Sequence, residues 1–479
     1  MNVHAWKRIH LVGIGGINMS AVAKLLLASG ATLTSSDLAA SEITDELKAK
    51  GIKIAIGPHD ERNVPADCQA IIHTSASRDD NPERLAAKHR NLPDISNFEF
   101  LGEWFKDKNV VLVTGTHGKS TTTALLGSIC TVAGLDPTVI IGSKVAGWPD
   151  SNLRIGKSNL VIIEGDEYAK HFLSFHPKAL IINNIELDHT DVFKDLEDVR
   201  HTFERLLRQT KHGATIVVNG ESEEVMKAVR TIKMHEMKVI RFGRKETIKL
   251  PSQAYEAIMN YNRGTNVTNI TIKYSGSERL LQTPLIGGFN AMNVTAAAVM
   301  AKELGAKDEA IESAVKDFKG IWRRMELIGE QAGVPIYSDY GHHPTAVRET
   351  LSAVKQAFPD KRIVLCFQPH HKNRTKHLFD ELVTCFDQAD ALVLCEIYDV
   401  PGRSASEDAD MTSQKLLEAI KSKLEARISN LDPKNVQYAS DPAAAIKQTF
   451  ALLKPGDICI IMGAGDIDSA LRDQMKIKK

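Results

Sequence analysis

Short apolar runs alternate with helical stretches along almost the whole chain. The run Ile9–Ile14 leads into Gly13-Ile14-Gly15-Gly16, a helix is predicted over Met19–Ser29, and a second strand over Ala31–Thr34 ends at Ser36-Asp37. Strand, glycine turn, helix, strand is the opening of a nucleotide-binding βαβ unit. Similar alternation continues to about residue 107. A second unit opens at Val110-Val111-Leu112-Val113, with further strands at Val161–Ile163 and Leu180–Ile182 and helices between them. That pattern predicts a mostly parallel sheet. Between about residues 240 and 285 the period changes to two, as in Asn266-Val267-Thr268-Asn269-Ile270-Thr271-Ile272, which predicts antiparallel strands. A third α/β unit follows Gly320, with strands predicted at Val334–Tyr337, Arg362–Phe367, Ala391–Cys395 and Asp457–Met462. The expected organisation is three α/β domains, 1–107, 108–320 and 321–479.

Bulk composition narrows the class. A chain of 479 residues exceeds one ordinary domain. Its 43% hydrophobic and 25% charged residues fit a globular protein in water. Lys+Arg and Asp+Glu both number 60, so there is no global positive charge to attract nucleic acid. No apolar run approaches the roughly 18 residues of a membrane span, and the N-terminus has no signal-peptide core. Cys68, Cys130, Cys366, Cys385, Cys395 and Cys459 form no C-x-x-C pair, and most sit in strand-like runs. Reduced, buried thiols in a cytoplasmic protein are expected, with neither a disulfide framework nor a zinc site.

The first chemistry lies at residues 110–123, VVLVTGTHGKSTTT. A strand delivers the chain to Gly115-Thr116-His117-Gly118-Lys119-Ser120, and a helix starts near Lys119. Glycines let backbone N–H groups converge on phosphate oxygens, and the helix N-terminus adds positive potential. Lys119 would reach the β- and γ-phosphates, and Ser120 would offer its hydroxyl to magnesium. Downstream, Val161-Ile162-Ile163 runs into Glu164-Gly165-Asp166-Glu167. Carboxylates crowded at a strand's C-terminal end call for an offsetting cation, which suggests a metal role for Glu167 or Glu164. A further strand runs into Asn183-Asn184-Ile185-Glu186-Leu187-Asp188-His189, where His189, beside Asp188 and Asp191, is a second metal-ligand candidate. Two divalent ions suit transfer of a phosphoryl group to an anionic carboxylate.

With these residues in place, the sequence resembles the Mur ligases, the ATP-dependent amide-forming enzymes of peptidoglycan precursor synthesis. The resemblance covers nearly the whole chain. It rests on GIGGINMSAVA, TGTHGKSTTT, EGDEY, NNIELDH, GGFNAMN at 287–293, WRRMELIGE at 322–330 and DYGHHPT at 339–345, in that order. It implies a Rossmann-like N-terminal domain, a central P-loop ATPase domain and a Rossmann-like C-terminal domain, with ATP and Mg2+ required. Gln368-Pro369-His370 with Arg374-Thr375 is similar to the branch that joins L-alanine to UDP-N-acetylmuramate; NNIELDHTDVF would also suit the branch that recycles a tripeptide onto the same sugar nucleotide.

Roles carried over by the resemblance are as follows. Gly115, Thr116, His117, Gly118, Lys119, Ser120 and Thr121 would line ATP; Ser120, Glu167 and His189 would face magnesium. Asn290 and Asn293 would lie near the nucleotide, and Arg324 and Asp339 would close over ATP. Gly15, Gly16, Asn18, Met19, Ser20, Asp37, Thr74 and Ser75 fall where the family holds the UDP sugar; His342, His370 and Arg374 fall near the amino-acid substrate. Lys119, Glu167, His189 and Arg324 are the expected catalytic set. The sequence departs from the family pattern at Phe289, where histidine is common, at Ser338, which replaces one of two aspartates, and at His371, where arginine is usual. Val199–Arg208 contains no lysine for carbamoylation, as in the alanine-adding branch. His342 and His343 before Pro344 would either assist amine deprotonation or cap a helix. The family implies a cytoplasmic monomer or homodimer.

Two readings compete from other classes. Gly13-x-Gly15 with Asp37 resembles a dinucleotide fingerprint and would suit a nicotinamide-dependent oxidoreductase, but Asn18 stands where the third glycine belongs. A non-catalytic nucleotide switch would keep Lys119 but needs neither the carboxylates nor the third unit.

Overall fold

The structure is a computed structural model that describes residues 1–190, 192–232, 237–244, 255–262, 267–274, 277–399, 408, 410–425 and 429–477. Asp191 and Asn266, both named above, lie outside the described residues. The chain divides into two compact units. One holds Met1–Ile185, Arg200–Tyr255 and Val294–Ala314; the other holds Glu186–Val199, Glu256–Asn293 and Val315–Lys479.

The first unit contains two parallel arrays. Five strands run in the order Lys53–Ile56, Thr32–Asp37, Arg8–Val12, Ala70–His73 and Asp94–Ser96, all parallel. Helix Ile17–Ala28 connects the first two strands in sequence. The second array centres on Asn109–Thr114, flanked by Ala179–Ile182 on one side and Leu160–Glu164 on the other. Thr215–Asn219 and Lys238–Arg244 extend it parallel on the first side. Thr138–Ile140 follows on the other, paired to the short antiparallel Leu153–Arg154. Val110–Val113, Val161–Ile163 and Leu180–Ile182 are buried throughout. Strands covered on both faces read as continuous apolar runs, which is why their positions were legible in sequence.

Register decides where the loops emerge. Val113 lies opposite Glu164, and Thr114 lies opposite Ile182. The phosphate loop, the carboxylate run and Asn183-Asn184 therefore leave the sheet at one edge, the edge where open α/β sheets bind ligands. In the N-terminal array Val12 lies opposite both Ser36 and His73, and His73 lies opposite Ser96. The glycine turn, Asp37, Thr74 and Asn97 share that array's C-terminal edge.

The second unit contains three antiparallel strands, Tyr255–Asn262, Val267–Tyr274 and Ser277–Thr283, where the period of two predicted them. Its larger sheet runs Glu326–Gln331, Val334–Asp339, Ile458–Met462, Ile363–Phe367, Ala391–Cys395 and Val436–Ala439. Only the first pair is antiparallel. Cores on its two faces are built from Val347, Leu365, Phe367 and Leu392 on one side and Ile336, Val393, Cys459 and Ile461 on the other.

All six cysteines are free and buried. Burial pushes the thiols of Cys130 and Cys366 up to about 12, so they pack as small apolar groups. Among the described residues no helix is long and apolar enough to cross a membrane.

Candidate active site

The phosphate loop is held by residues from the neighbouring strand. Asn184 accepts the His117 N–H on its side-chain oxygen at 2.7 Å and the Thr116 N–H on its carbonyl at 3.2 Å. Asn183 donates to the His117 carbonyl and to the Thr122 hydroxyl. The contact is close: a Cβ at Gly115 would sit 2.9 Å from the Asn184 nitrogen, and Gly115 has a φ of 133°. Gly118, at a φ of 80°, caps helix Lys119–Val132. The first i−4 bond of that helix is Thr122 N–H to the Gly118 carbonyl. The N–H groups of Lys119, Ser120 and Thr121 therefore stand at the helix's positive end.

Lys119 donates to the Gly115 and Thr116 carbonyls at 2.7 and 3.2 Å and pairs with Glu167 at 2.9 Å. Burial alone would discharge this ammonium, but Glu167, Asp166 and Glu164 outweigh burial and raise its pKa above the ordinary value. Ser120 donates to Glu164 at 2.8 Å, and Glu164 also accepts the Gly142 N–H. A hydroxyl and two carboxylates around one loop form an all-oxygen donor set, which fits a hard cation such as magnesium.

At the N-terminal edge Asp37 accepts the Gly15 N–H at 2.7 Å and the Ala39 N–H at 3.2 Å. Its carboxylate thus braces the glycine turn. Gly13, at a φ of 78°, passes so close to Thr74 that a Cβ would lie 2.4 Å from its methyl. Helix Ile17–Ala28 starts at Gly16, with Asn18 in its first turn. Met19 is buried, and the Ser20 hydroxyl donates to the Ile17 carbonyl while accepting from Asn152. Those two side chains face the interior, so only their backbone is placed to meet a ligand. Ser75 is exposed at the same edge.

In the second unit His189 has a φ of 54°, and its N–H donates to Asp188 at 2.6 Å. Arg374 gathers this segment. It pairs with Asp188 at 2.8 Å and lies 3.3 Å from His189 Nδ1 and 3.1 Å from His370 Nδ1. Burial would raise the Asp188 carboxyl, but the Arg374 guanidinium holds it well below its usual range. Burial and Arg374 push His370 down to about 3 and His342 well below its ordinary value, so both rings are neutral at pH 7. His343 caps helix Pro344–Ala357 by accepting the Thr345 N–H.

Asn290 and Asn293 are buried one turn apart on helix Gly288–Glu303 and bond to each other at 3.2 Å. Asp339 accepts the Met325 and Gly341 N–H groups. Arg323 and Met325 both have left-handed φ values, 55° and 48°, and between them Arg324 is carried over the Tyr340 ring at 4.8 Å. Arg323 lies 4.9 Å from the same ring, but it is buried and donates to the Gly463 and Gly465 carbonyls. Of two adjacent arginines, one anchors and the other is presented. Ser338, the departure from an aspartate pair, donates to Asp468 at 2.5 Å.

Models of three Mur ligase domains match the chain: the Mur ligase family catalytic domain over residues 8–109, the middle domain over 113–301 and the glutamate ligase domain over 323–465. The chain belongs to the Mur ligase family. Among curated relatives, the UDP-N-acetylmuramate–L-alanine ligase of Geotalea uraniireducens is 35% identical over 96% of each chain. That of Aquifex aeolicus is 32% identical over 98% of this chain and 97% of its own. In structure this Mur ligase is similar to the UDP-N-acetylmuramate–alanine ligase of Thermotoga maritima, with a TM-score of 0.78 and 26% identity over 98% of each chain. A murein peptide ligase from Psychrobacter arcticus shares the fold, with a TM-score of 0.71 at 23% identity over 98% of each chain.

Sequence reasoning gave this Mur ligase no role for Asn183 and Asn184, although their place directly after a buried strand beside the loop was a usable signal. It also singled out Arg324 without the anchoring Arg323, a division that only the long-range partners at Gly463 and Gly465 reveal.

Proposed function

We propose that this chain joins L-alanine to the carboxylate of UDP-N-acetylmuramate at the expense of ATP, through an acyl phosphate, in the cytoplasm. The observation that carries the substrate assignment is the near-full-length likeness to curated UDP-N-acetylmuramate–L-alanine ligases. We assign the sugar nucleotide to residues 1–107, ATP to 108–320 and the amino acid to 321–479.

A carboxylate is a poor electrophile, and phosphorylation gives it a leaving group. Gly15, Gly16, Asn18 and Thr74, braced by Asp37, hold the sugar nucleotide. The N–H groups of Lys119, Ser120 and Thr121 receive ATP phosphates at the helix start. Lys119 exchanges its Glu167 partner for γ-phosphate oxygens, and Arg324 adds a second cation. Ser120, Glu164 and Glu167 are the residues around the loop that would hold magnesium, which, when bound, would neutralise the anionic phosphates. Arg374, with His370 and His342, receives the amino acid, its guanidinium suited to a carboxylate. The amine then attacks the acyl phosphate and phosphate departs. A nicotinamide enzyme would leave the phosphate loop and its carboxylates without purpose.

The test is phosphate release from ATP with magnesium and UDP-N-acetylmuramate, offered L-alanine, glycine, L-serine or the tripeptide in separate reactions. Release that depends on L-alanine is expected. Release with the tripeptide alone would move the enzyme to the recycling branch and overturn the assignment.

A further inference from the structure

The segment after Glu167 is unusual in its backbone and in one side chain. Ala169 and Lys170 both have left-handed φ values, 48° and 62°, within Tyr168–Ser174. Non-glycine residues held so are strained, and such strain gathers at functional sites. His171 follows. Its ring stacks on Phe98 with centroids 4.3 Å apart and planes at 12°, and Tyr168 meets its edge at 5.7 Å. Its Nδ1 lies 3.4 Å from an Asp166 carboxylate oxygen. Its Nε2 is buried and finds no hydrogen-bond partner among the described residues. Among the described residues the acceptor facing the ring is Asp166, at Nδ1, and the donating N–H is placed there.

The surroundings place this ring between two sites. Phe98 belongs to helix Asn97–Trp104, which starts at the edge shared by the glycine turn, Asp37 and Thr74. That helix packs tightly on the segment: a Cβ at Gly102 would lie 2.1 Å from the Ser174 carbonyl oxygen. On its other side Asp166 accepts the Tyr168 N–H, and its own carbonyl accepts the Phe172 N–H, so the turn carrying Glu167 is pinned at both ends. Glu167 in turn pairs with Lys119.

We propose that His171 is a positioning residue: clamped by Phe98 and Tyr168, it donates to Asp166 and so fixes the Glu167 turn, and with it the phosphate-loop lysine, against the sugar-nucleotide domain. A buried ring with one nitrogen unpartnered among the described residues, beside two strained residues, is an arrangement that packing alone does not call for. The proposal rests on the assignment of Glu167 and Lys119 to magnesium and ATP.

His171→Phe keeps a ring to stack on Phe98 and loses the donor; His171→Asn keeps a donor and loses the ring. Calorimetric binding of a non-hydrolysable ATP analogue with magnesium, read beside turnover, separates the two roles. His171→Phe is expected to weaken analogue binding about tenfold and to lower kcat by on the order of ten- to a hundredfold, as misplacement by a fraction of an ångström does. Its KM for UDP-N-acetylmuramate stays within about twofold of wild type, and His171→Asn recovers most of the loss. A packing role predicts the reverse order, with His171→Phe near wild type and His171→Asn impaired; that result overturns the proposal. If His171→Phe does not fold, His171→Asn alone decides, since wild-type analogue affinity in it supports the donor role and a tenfold loss overturns it. Failure of the substrate assignment would instead show as wild type turning over with no amine, while analogue binding still reports on His171.

Discussion

Replacing Lys119 with alanine removes the one ammonium that the phosphate loop encloses. In the structure that ammonium sits between the Gly115 and Thr116 carbonyls and Glu167, at 2.7, 3.2 and 2.9 Å. Facing a γ-phosphate oxygen at about 4 Å, in surroundings with an effective dielectric near 20, it contributes about 4 kcal/mol. The pair with Glu167 must be given up first, which offsets part of that gain. With about 1.4 kcal/mol for each tenfold in rate, Lys119→Ala should lower kcat/KM by about a hundred- to a thousandfold. Lys119→Arg should lose at least about tenfold as well, because a planar fork cannot take the position of a compact ammonium between two carbonyls. The assay is coupled ADP formation at saturating sugar nucleotide, with calorimetric binding of UDP-N-acetylmuramate as the control for folding. A Lys119→Ala enzyme within about tenfold of wild type, with unchanged sugar-nucleotide affinity, would refute the role given to Lys119.

Three further outcomes are expected. Glu83 is fully buried and receives hydrogen bonds from Ser36 and Asn63 and a contact from His10; these outweigh burial and hold its carboxyl at about 2. Because the folded value lies below the usual 4.5, its contribution of about 3 kcal/mol is present above pH 4.5 and is lost as pH falls toward 2, so Glu83→Gln should flatten the acid limb of Tm against pH. In Gly15→Ala the new methyl would meet Asp37 at 2.9 Å, so KM for the sugar nucleotide should rise about tenfold with ATP-analogue affinity unchanged; an unaltered KM would show that the turn tolerates a Cβ. Arg374→Ala strips a buried carboxylate, Asp188, of its partner, so KM for L-alanine should rise at least about tenfold and the loss of activity on acidification should begin at higher pH, as the Asp188 carboxyl moves up; pH–rate profiles that superimpose would count against this.

The parallel strands were legible because residues buried on both faces form unbroken apolar runs, as at Val110–Val113 and Leu180–Ile182. The strand Thr32–Asp37 ends at Ser36-Asp37 as expected, but its last residues form no apolar run, because Ser35 and Ser36 are polar yet buried. Their hydroxyls find partners at the Lys53 carbonyl and at Glu83 that sequence does not display. Asp94–Ser96 was hidden for the same reason, a short strand without an apolar run. The phosphate loop carries its own local signature and was read directly. The groups that hold it, Asn183 and Asn184, are more than sixty residues away in sequence, and only the register between Thr114 and Ile182 brings them to it. His171, Arg323 and the Glu83 network were likewise invisible, since each depends on partners from distant segments.

The most direct test follows an oxygen atom. UDP-N-acetylmuramate labelled with heavy oxygen in its carboxylate is incubated with ATP, magnesium and L-alanine, and the released phosphate is analysed by mass spectrometry. Attack of the carboxylate on the γ-phosphorus, followed by expulsion of phosphate by the amine, predicts one labelled oxygen in each phosphate released, with none formed by Lys119→Ala. Amide product accompanied by unlabelled phosphate would contradict the acyl phosphate and the account built on it.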